Sequence, residues 1–161
     1  TARGVRGIRM AEETRVIALI IPQEGGVILT ASMNGYGKKT NIDDFPVKGR
    51  GGQGVIAQQW SERNGDLAGA VQVFNGDDVM LISDQGTLVR TRTEEISELG
   101  RNTQGVTLIR VAEDENLVGL ARIEEPDEPE DEVETAEDGN AEQSAAESAA
   151  AVDTPDASDD A

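Results

Sequence analysis

The sequence contains neither cysteine nor histidine. The first absence excludes a disulfide scaffold or a thiolate metal site, and the second removes the commonest metal ligand and general base. Aromatic side chains are scarce: one Trp, one Tyr and two Phe in 161 residues. A core must therefore be aliphatic, with each fully buried Val, Leu or Ile contributing roughly 1.5–3 kcal/mol. Tyr36, Phe45, Trp60 and Phe74 are scattered singly, which argues against the aromatic platforms that hold single-stranded nucleic acid by stacking. The longest apolar run, Val16 to Pro22, is far shorter than the about 20 residues a membrane-spanning helix requires. Neither a signal peptide nor a membrane anchor is expected. With no initiator methionine and a glycine–arginine pattern already running at Arg3, the chain reads as part of a longer polypeptide.

Positive charge is also missing from the last quarter. All 14 Lys and Arg lie at or before Arg122, together with 16 of the 32 acidic residues, and the other 16 acids lie from Glu124 onward. The net charge of −18 is therefore −2 for the body and −16 for the remainder. Two segments of different physical kind follow: a body, 1–123, and an acidic tail, 124–161. From Pro126 the composition is Glu, Asp, Ala, Ser, Gly and Pro with hardly a large apolar side chain, so burial cannot offset the entropy of ordering and the tail is expected to be disordered. A whole-chain charge this negative argues against polyanion binding, but that binding depends on where cations cluster, not on the total.

The body repeats itself. Asn34 to Thr40, followed by Arg50-Gly51-Gly52-Gln53-Gly54-Val55, lies 51 positions before Gln85 to Thr91, followed by Arg101-Asn102-Thr103-Gln104-Gly105-Val106. Lys39 falls on Arg90, Arg50 on Arg101 and Gly54 on Gly105. Arg3-Gly4-Val5-Arg6-Gly7 repeats the glycine motif 47 residues earlier, the difference being four extra residues around Glu62 to Gly65. A period near fifty with strand-like content is the signature of propeller-type blades. The body holds two full units and the opening of another. Short runs of Val, Ile and Leu punctuated by Gly, Asn and Asp predict antiparallel strands. They are expected near 16–21, 26–32, 36–40, 53–59, 67–73, 78–83, 87–92, 104–111 and 117–123. The fold class is all-β: a partial array of antiparallel blades.

The recurrent motif Arg-x-x-Arg/Gln-Gly-Val/Ile, at Arg3–Gly7, Arg50–Gly54 and Arg101–Gly105, carries the chemistry. Its glycines permit positive φ and close backbone approach, and its arginine offers paired, permanently charged donors suited to phosphate. The alternative role for these glycines is a tight connection between blades. Arg90 and Arg92, two apart on a strand, share a face. The candidate cations are Arg3, Arg6, Arg9, Lys38, Lys39, Lys48, Arg50, Arg90, Arg92, Arg101 and Arg110, a repeating rim along which duplex phosphates could run without bases being read. Catalytic readings fail on the residues. Gly35 to Thr40 misses the phosphate-binding loop, with Ser32 where its first glycine belongs and Lys39 where Ser or Thr should follow the lysine. Tyr36 reads as a hairpin packing residue, and the pairs Asp43-Asp44 and Asp77-Asp78 read as solvated turns without a third ligand for a metal.

Gly35-Tyr36-Gly37-Lys38-Lys39-Thr40, Gly86-Thr87-Leu88-Val89-Arg90-Thr91-Arg92, Gly100 to Val106 and Ala112-Glu113-Asp114-Glu115-Asn116 together resemble the carboxy-terminal repeats of the gyrase A family, over residues 1 to about 126. The resemblance implies a β-pinwheel of six blades, of which this chain would hold the final ones. It implies wrapping of duplex DNA on a basic rim and delivery of a crossing segment to a cleavage core during ATP-dependent negative supercoiling. The family's diagnostic box, Gln-Arg-Arg-Gly-Gly-Lys-Gly, has only a degenerate match at Lys48 to Gly54. Further implications are a bacterial cytoplasmic location and an A2B2 heterotetramer, in which the parent protein joins a second copy of itself and the gyrase B subunit. ATP and Mg are bound elsewhere, so no cofactor and no catalytic residue is expected in this chain. Two alternatives stand beside this reading: the homologous subunit of topoisomerase IV, and a protein-docking propeller that uses the acidic tail as its interaction element. Salt separates the last from DNA binding, because counterion release makes only the latter steeply salt-dependent.

Overall fold

A computed structural model describes residues 3–124. The acidic tail expected from residue 124 onward lies outside the described residues after its first position. Among the described residues seven strands form two antiparallel sheets. The first has the order β3-β1-β2-β6, from β1 (Val27–Ser32), β2 (Tyr36–Asn41), β3 (Leu67–Val73) and β6 (Val106–Thr107). The second has the order β5-β4-β7, from β4 (Asp78–Ser83), β5 (Leu88–Arg92) and β7 (Leu117–Ile123).

The sequence period is reproduced in the backbone. β1 and β4 lie 51 positions apart, as do the 3-10 turns Ile42–Asp44 and Thr93–Glu95 that follow β2 and β5. Each hairpin turns on a glycine with positive φ, Gly35 at +80° and Gly86 at +87°, closed by Gly35 N–H to Ser32 O at 3.0 Å and Gly86 N–H to Ser83 O at 3.2 Å. A three-residue hairpin loop needs its last residue left-handed, and glycine adopts that conformation without steric cost. In each sheet a strand further along the chain returns to the first strand of the hairpin. β3 pairs with β1 as β7 pairs with β4, and the register slips between Ala31 and Ser32 in one sheet and between Ile82 and Ser83 in the other.

One aliphatic core joins the sheets, built from Leu29, Ala31 and Val73 of the first and Val79, Leu81 and Leu117 of the second, with Ile96 and Ile109 from the connections. β7 lies close on β3. A Cβ on Gly69 would sit 2.3 Å from Leu120 Cδ2, and Leu117 N–H donates to Met33 O at 2.7 Å across the sheets. Buried hydroxyls are satisfied internally: Thr30 Oγ1 donates to Gln58 Oε1 at 2.9 Å and Thr40 Oγ1 to Leu99 O at 3.1 Å.

Three expected strands are corrected. Residues 16–21 are not a strand, because no segment among the described residues offers them a ladder, and Val16, Ile17, Leu19 and Ile21 are exposed. Residues 53–59 give their hydrogen bonds to a loop instead of a sheet, with Gln59 N–H on Thr103 O at 2.9 Å. Only Val106–Thr107 of the expected 104–111 is strand, since both Leu108 and Ile109 N–H groups converge on Gly35 O in the hairpin turn. Among the described residues no helix is long and apolar enough to cross a membrane.

Candidate functional site

The structure divides the eleven candidate cations into those on the surface and those used internally. Lys38 on β2 is fully buried, with Nζ donating to the carbonyls of Gly100 and Arg101, both at 2.5 Å. Desolvation, reinforced by the neighbouring Arg101 guanidinium and opposed by the Asp44 carboxylate, pushes its pKa down from 10.5 to about 8. Lys38 is therefore corrected from a surface contact to an internal strut. Its neighbour Lys39 is half-buried, and its backbone is bonded to the 97–99 connection, by Lys39 N–H to Ser97 O at 3.0 Å and Leu99 N–H to Lys39 O at 2.8 Å.

Arg101, the leading residue of the third motif, also turns inward. Its Nε donates to Asp44 O at 3.1 Å and Nη1 to Ile56 O at 2.6 Å, so the guanidinium ties the motif to two other connections. The close backbone approach expected of the motif glycines is found at Gly105, where it is an approach to Gly37, whereas a Cβ on Gly4 or Gly7 would meet nothing within 4 Å and one on Gly51, Gly52 or Gly54 only ordinary contacts.

The remaining candidates are at the surface. Arg3, Arg6, Arg9, Lys48, Arg50, Arg90, Arg92 and Arg110 are exposed. The first and second motifs are brought side by side, because Gly51 N–H donates to Gly7 O at 2.8 Å and Arg9 N–H to Gly52 O at 2.7 Å in a parallel bridge. Arg6, Arg9, Lys48 and Arg50 thus lie on two adjoining segments, whose bridging residues Ile8 and Gly52 are 44 positions apart in sequence. Spacing alone did not reveal that pairing, because it joins two loops and leaves no periodic trace.

On β5, Arg90 and Arg92 share the exposed face as expected, but they are not equivalent. Arg90 pairs with Asp78 on β4 at 2.5 Å, whereas Arg92 has no ion pair among the described residues. A shallow depression of about 360 Å³ beside them is lined by Asp77, Asp78, Arg90, Arg92, Glu94 and Glu124, so the potential on this side is mixed.

Several working residues were not anticipated. Asp77, expected as a solvated turn residue, is buried. It accepts from Phe74 N–H at 2.7 Å and forms a two-pronged pair with Arg122, which also stacks 4.5 Å from the Phe74 ring centroid. The Asp77 partner raises the pKa of Arg122 above its usual value. Arg63 lies 4.6 Å over the Tyr36 ring. Asn64 and Glu115, 51 apart, do the same job in successive repeats: Asn64 Oδ1 accepts from Ser61 N–H at 2.7 Å and Glu115 Oε2 from Ala112 N–H at 3.0 Å. Hydrogen bonds from the Ser83 and Thr87 hydroxyls and from Ala112 N–H hold the Glu115 carboxyl below the usual range. Aligning the repeats would have exposed this pair, because polar residues matched at one offset in a turn signal a shared cap.

Comparison with known proteins agrees with this geometry. The profile of the family described as "DNA gyrase C-terminal domain, beta-propeller" matches residues 26–73 and 77–124, each span enclosing one hairpin and the strand or strands that follow it. The DNA gyrase A protein of Pseudomonas aeruginosa is 60% identical over 131 residues, covering 81% of this chain and 14% of the relative. Its counterpart in Escherichia coli is 58% identical over 128 residues, covering 80% and 15%. The chain thus spans about one seventh of these relatives. Among solved structures, a DNA gyrase A C-terminal domain superposes with a TM-score of 0.59 at 26% identity, over 62% of this chain and 34% of that one. The C-terminal domain of a DNA topoisomerase IV superposes with a TM-score of 0.68 at 20% identity, over 75% and 38%, a likeness of fold alone.

Proposed function

The chain belongs to the DNA gyrase C-terminal domain family, and from that premise we propose that it binds the phosphate backbone of duplex DNA and forms part of the wrapping surface of a gyrase A protein. The observation that carries the proposal is the pairing of the first two arginine–glycine motifs. Two adjoining backbone segments present Arg6, Arg9, Lys48 and Arg50 to solvent, a concentration of cations on a body whose own charge nearly cancels. Duplex DNA carries one charge per about 1.7 Å of axis, so local clustering outweighs total charge in such binding. The contacts are to phosphate, and base sequence is not read.

In the parent protein this surface would serve an isomerase, a type II topoisomerase that supercoils DNA with ATP and Mg bound on other parts. Its setting would be a bacterial cytoplasmic A2B2 assembly, built from two gyrase A and two gyrase B proteins. The chain itself would handle DNA without doing covalent chemistry. The topoisomerase IV alternative is less well supported, because the family profile and the relatives at 58–60% identity carry the gyrase name.

Affinity for two unrelated duplexes over a salt series tests the proposal. Nearly equal affinities that fall steeply with salt are expected. Binding that ignores salt would sink it.

A further inference from the structure

The third motif is built differently from a loop whose arginine faces its ligand. Five of the six carbonyls from Gly100 to Gly105 accept hydrogen bonds from the body beneath. Gly100 O takes Lys38 Nζ and Thr103 Oγ1, and Arg101 O takes Lys38 Nζ. Thr103 O takes Gln59 N–H at 2.9 Å. Gln104 O takes Gln58 Nε2 at 3.0 Å and Asn64 Nδ2 at 3.3 Å, and Gly105 O takes Arg63 Nη2 at 3.5 Å. Three of these donors, Lys38, Gln58 and Asn64, are themselves buried. Meanwhile the N–H groups of Asn102, Thr103, Gln104 and Gly105 donate to nothing among the described residues, and Asn102 is exposed.

We propose that residues 102–105 form a preset phosphodiester subsite, in which a bed of buried donors led by Lys38 draws the loop's carbonyls inward and leaves its amide N–H groups for an anionic oxygen. Successive backbone N–H groups that converge in a turn make an anion-binding concavity, and a buried cation behind it adds charge without a mobile side chain. Lys38 is then a positioning residue. It holds Gly100 and Arg101 and never touches the ligand. The charged groups facing it are the Arg101 guanidinium from the loop and the Asp44 carboxylate from the turn after β2. The corresponding residue of the second sheet, 51 positions on, is Val89, which packs against the core. The strut occurs where a motif loop is seated on the sheet. This inference rests on the phosphate-binding reading of the chain and adds to it a site made of backbone.

The test is an amide proton–nitrogen spectrum of the full chain, recorded while a short duplex of mixed sequence is added at low salt. Saturable downfield shifts are expected for the amides of Asn102 to Gly105, reversing as salt is raised. Shifts at Thr91 and Arg92 with none at 102–105 would overturn the subsite while leaving DNA binding intact. A spectrum in which nothing moves would overturn both. In Lys38→Met the loop shifts should vanish and affinity fall about tenfold, the scale of one charge-assisted hydrogen bond. The slope of affinity against salt should stay at the wild-type value, because a buried ammonium releases no counterion. A reduced slope would make Lys38 a direct contact and end its positioning role. The titration of the unaltered chain needs no variant, so a misfolded Lys38→Met leaves the decision in place.

Discussion

Gly105 rests directly on Gly37: a Cβ at position 105 would lie 2.6 Å from the Gly37 carbonyl oxygen, and the backbone there has φ +87°. Gly54, its counterpart one repeat earlier, has a similar φ of +76°, but its Cβ would meet only Ile8 Cδ1 at 3.4 Å. The two positions separate backbone strain from collision. Gly54→Ala should cost about 1–2 kcal/mol, the left-handed penalty alone. Gly105→Ala adds overpacking against main chain and should cost on the order of 3 kcal/mol or more. Urea midpoints of the two variants check this, and equal losses would mean that the close approach costs nothing.

Lys38 makes stability depend on pH in the alkaline range. Its pKa is about 8 in the folded chain against an ordinary 10.5, so between those values the unfolded chain binds more protons. Stability then rises with pH across that window, and below about pH 8 the lysine is charged in both states and contributes no slope. Urea unfolding at pH 7.5 and pH 10 should show wild type gaining on Lys38→Met between the two. A constant difference would place the ammonium in contact with water.

The two hairpins, the strands that pair with them and the repeat period were legible because they rest on local chemistry: glycine at the left-handed turn positions 35 and 86, and short runs of Val, Ile and Leu around them. The destination of each cation was not. Lys38 and Lys39 are adjacent and read alike, yet the pleat sends one inward and leaves the other partly outside. Arg101 heads the motif best suited to phosphate and instead bonds Asp44 O and Ile56 O, carbonyls 57 and 45 residues away. Such choices depend on which connections cross which sheet, and no window of sequence contains that. Residues 16–21 fail for a related reason. Their apolar pattern is that of β3, but a strand exists only where another offers it a ladder.

Asp77 and Arg122 close the second sheet against its hairpin. The carboxylate is buried, caps Phe74 N–H and receives Arg122, whose guanidinium also covers the Phe74 ring. Removing Arg122 leaves a buried charge with backbone support alone. Arg122→Ala should therefore destabilise by about 2 kcal/mol, the scale of hydrogen bonds to charged groups. Asp77→Asn, which keeps the shape and removes the charge, should make the later loss of Arg122 smaller. A double-mutant cycle measures the coupling, and zero coupling would show that Arg122 acts only by packing.

Arg90 and Arg92 share a strand face but differ in what they have available for DNA. Arg90 is held by Asp78, whose charge a phosphate must outcompete, whereas Arg92 has no ion pair among the described residues. Each phosphate contact steepens the dependence of log affinity on log salt by about 0.9. Arg92→Ala should remove close to that amount, and Arg90→Ala less. Asp78→Asn should raise affinity by freeing Arg90, with an increase in slope rather than a change in sequence preference, since phosphate contacts carry no base code. Exposed ion pairs contribute little to folding, about 0–1 kcal/mol, so all three variants should unfold near the wild-type midpoint. The measurement is affinity on two unrelated duplexes across a salt series. Equal slope changes for Arg90→Ala and Arg92→Ala, with no gain in Asp78→Asn, would show that Asp78 does not restrain the arginine and that the two positions act on DNA as one.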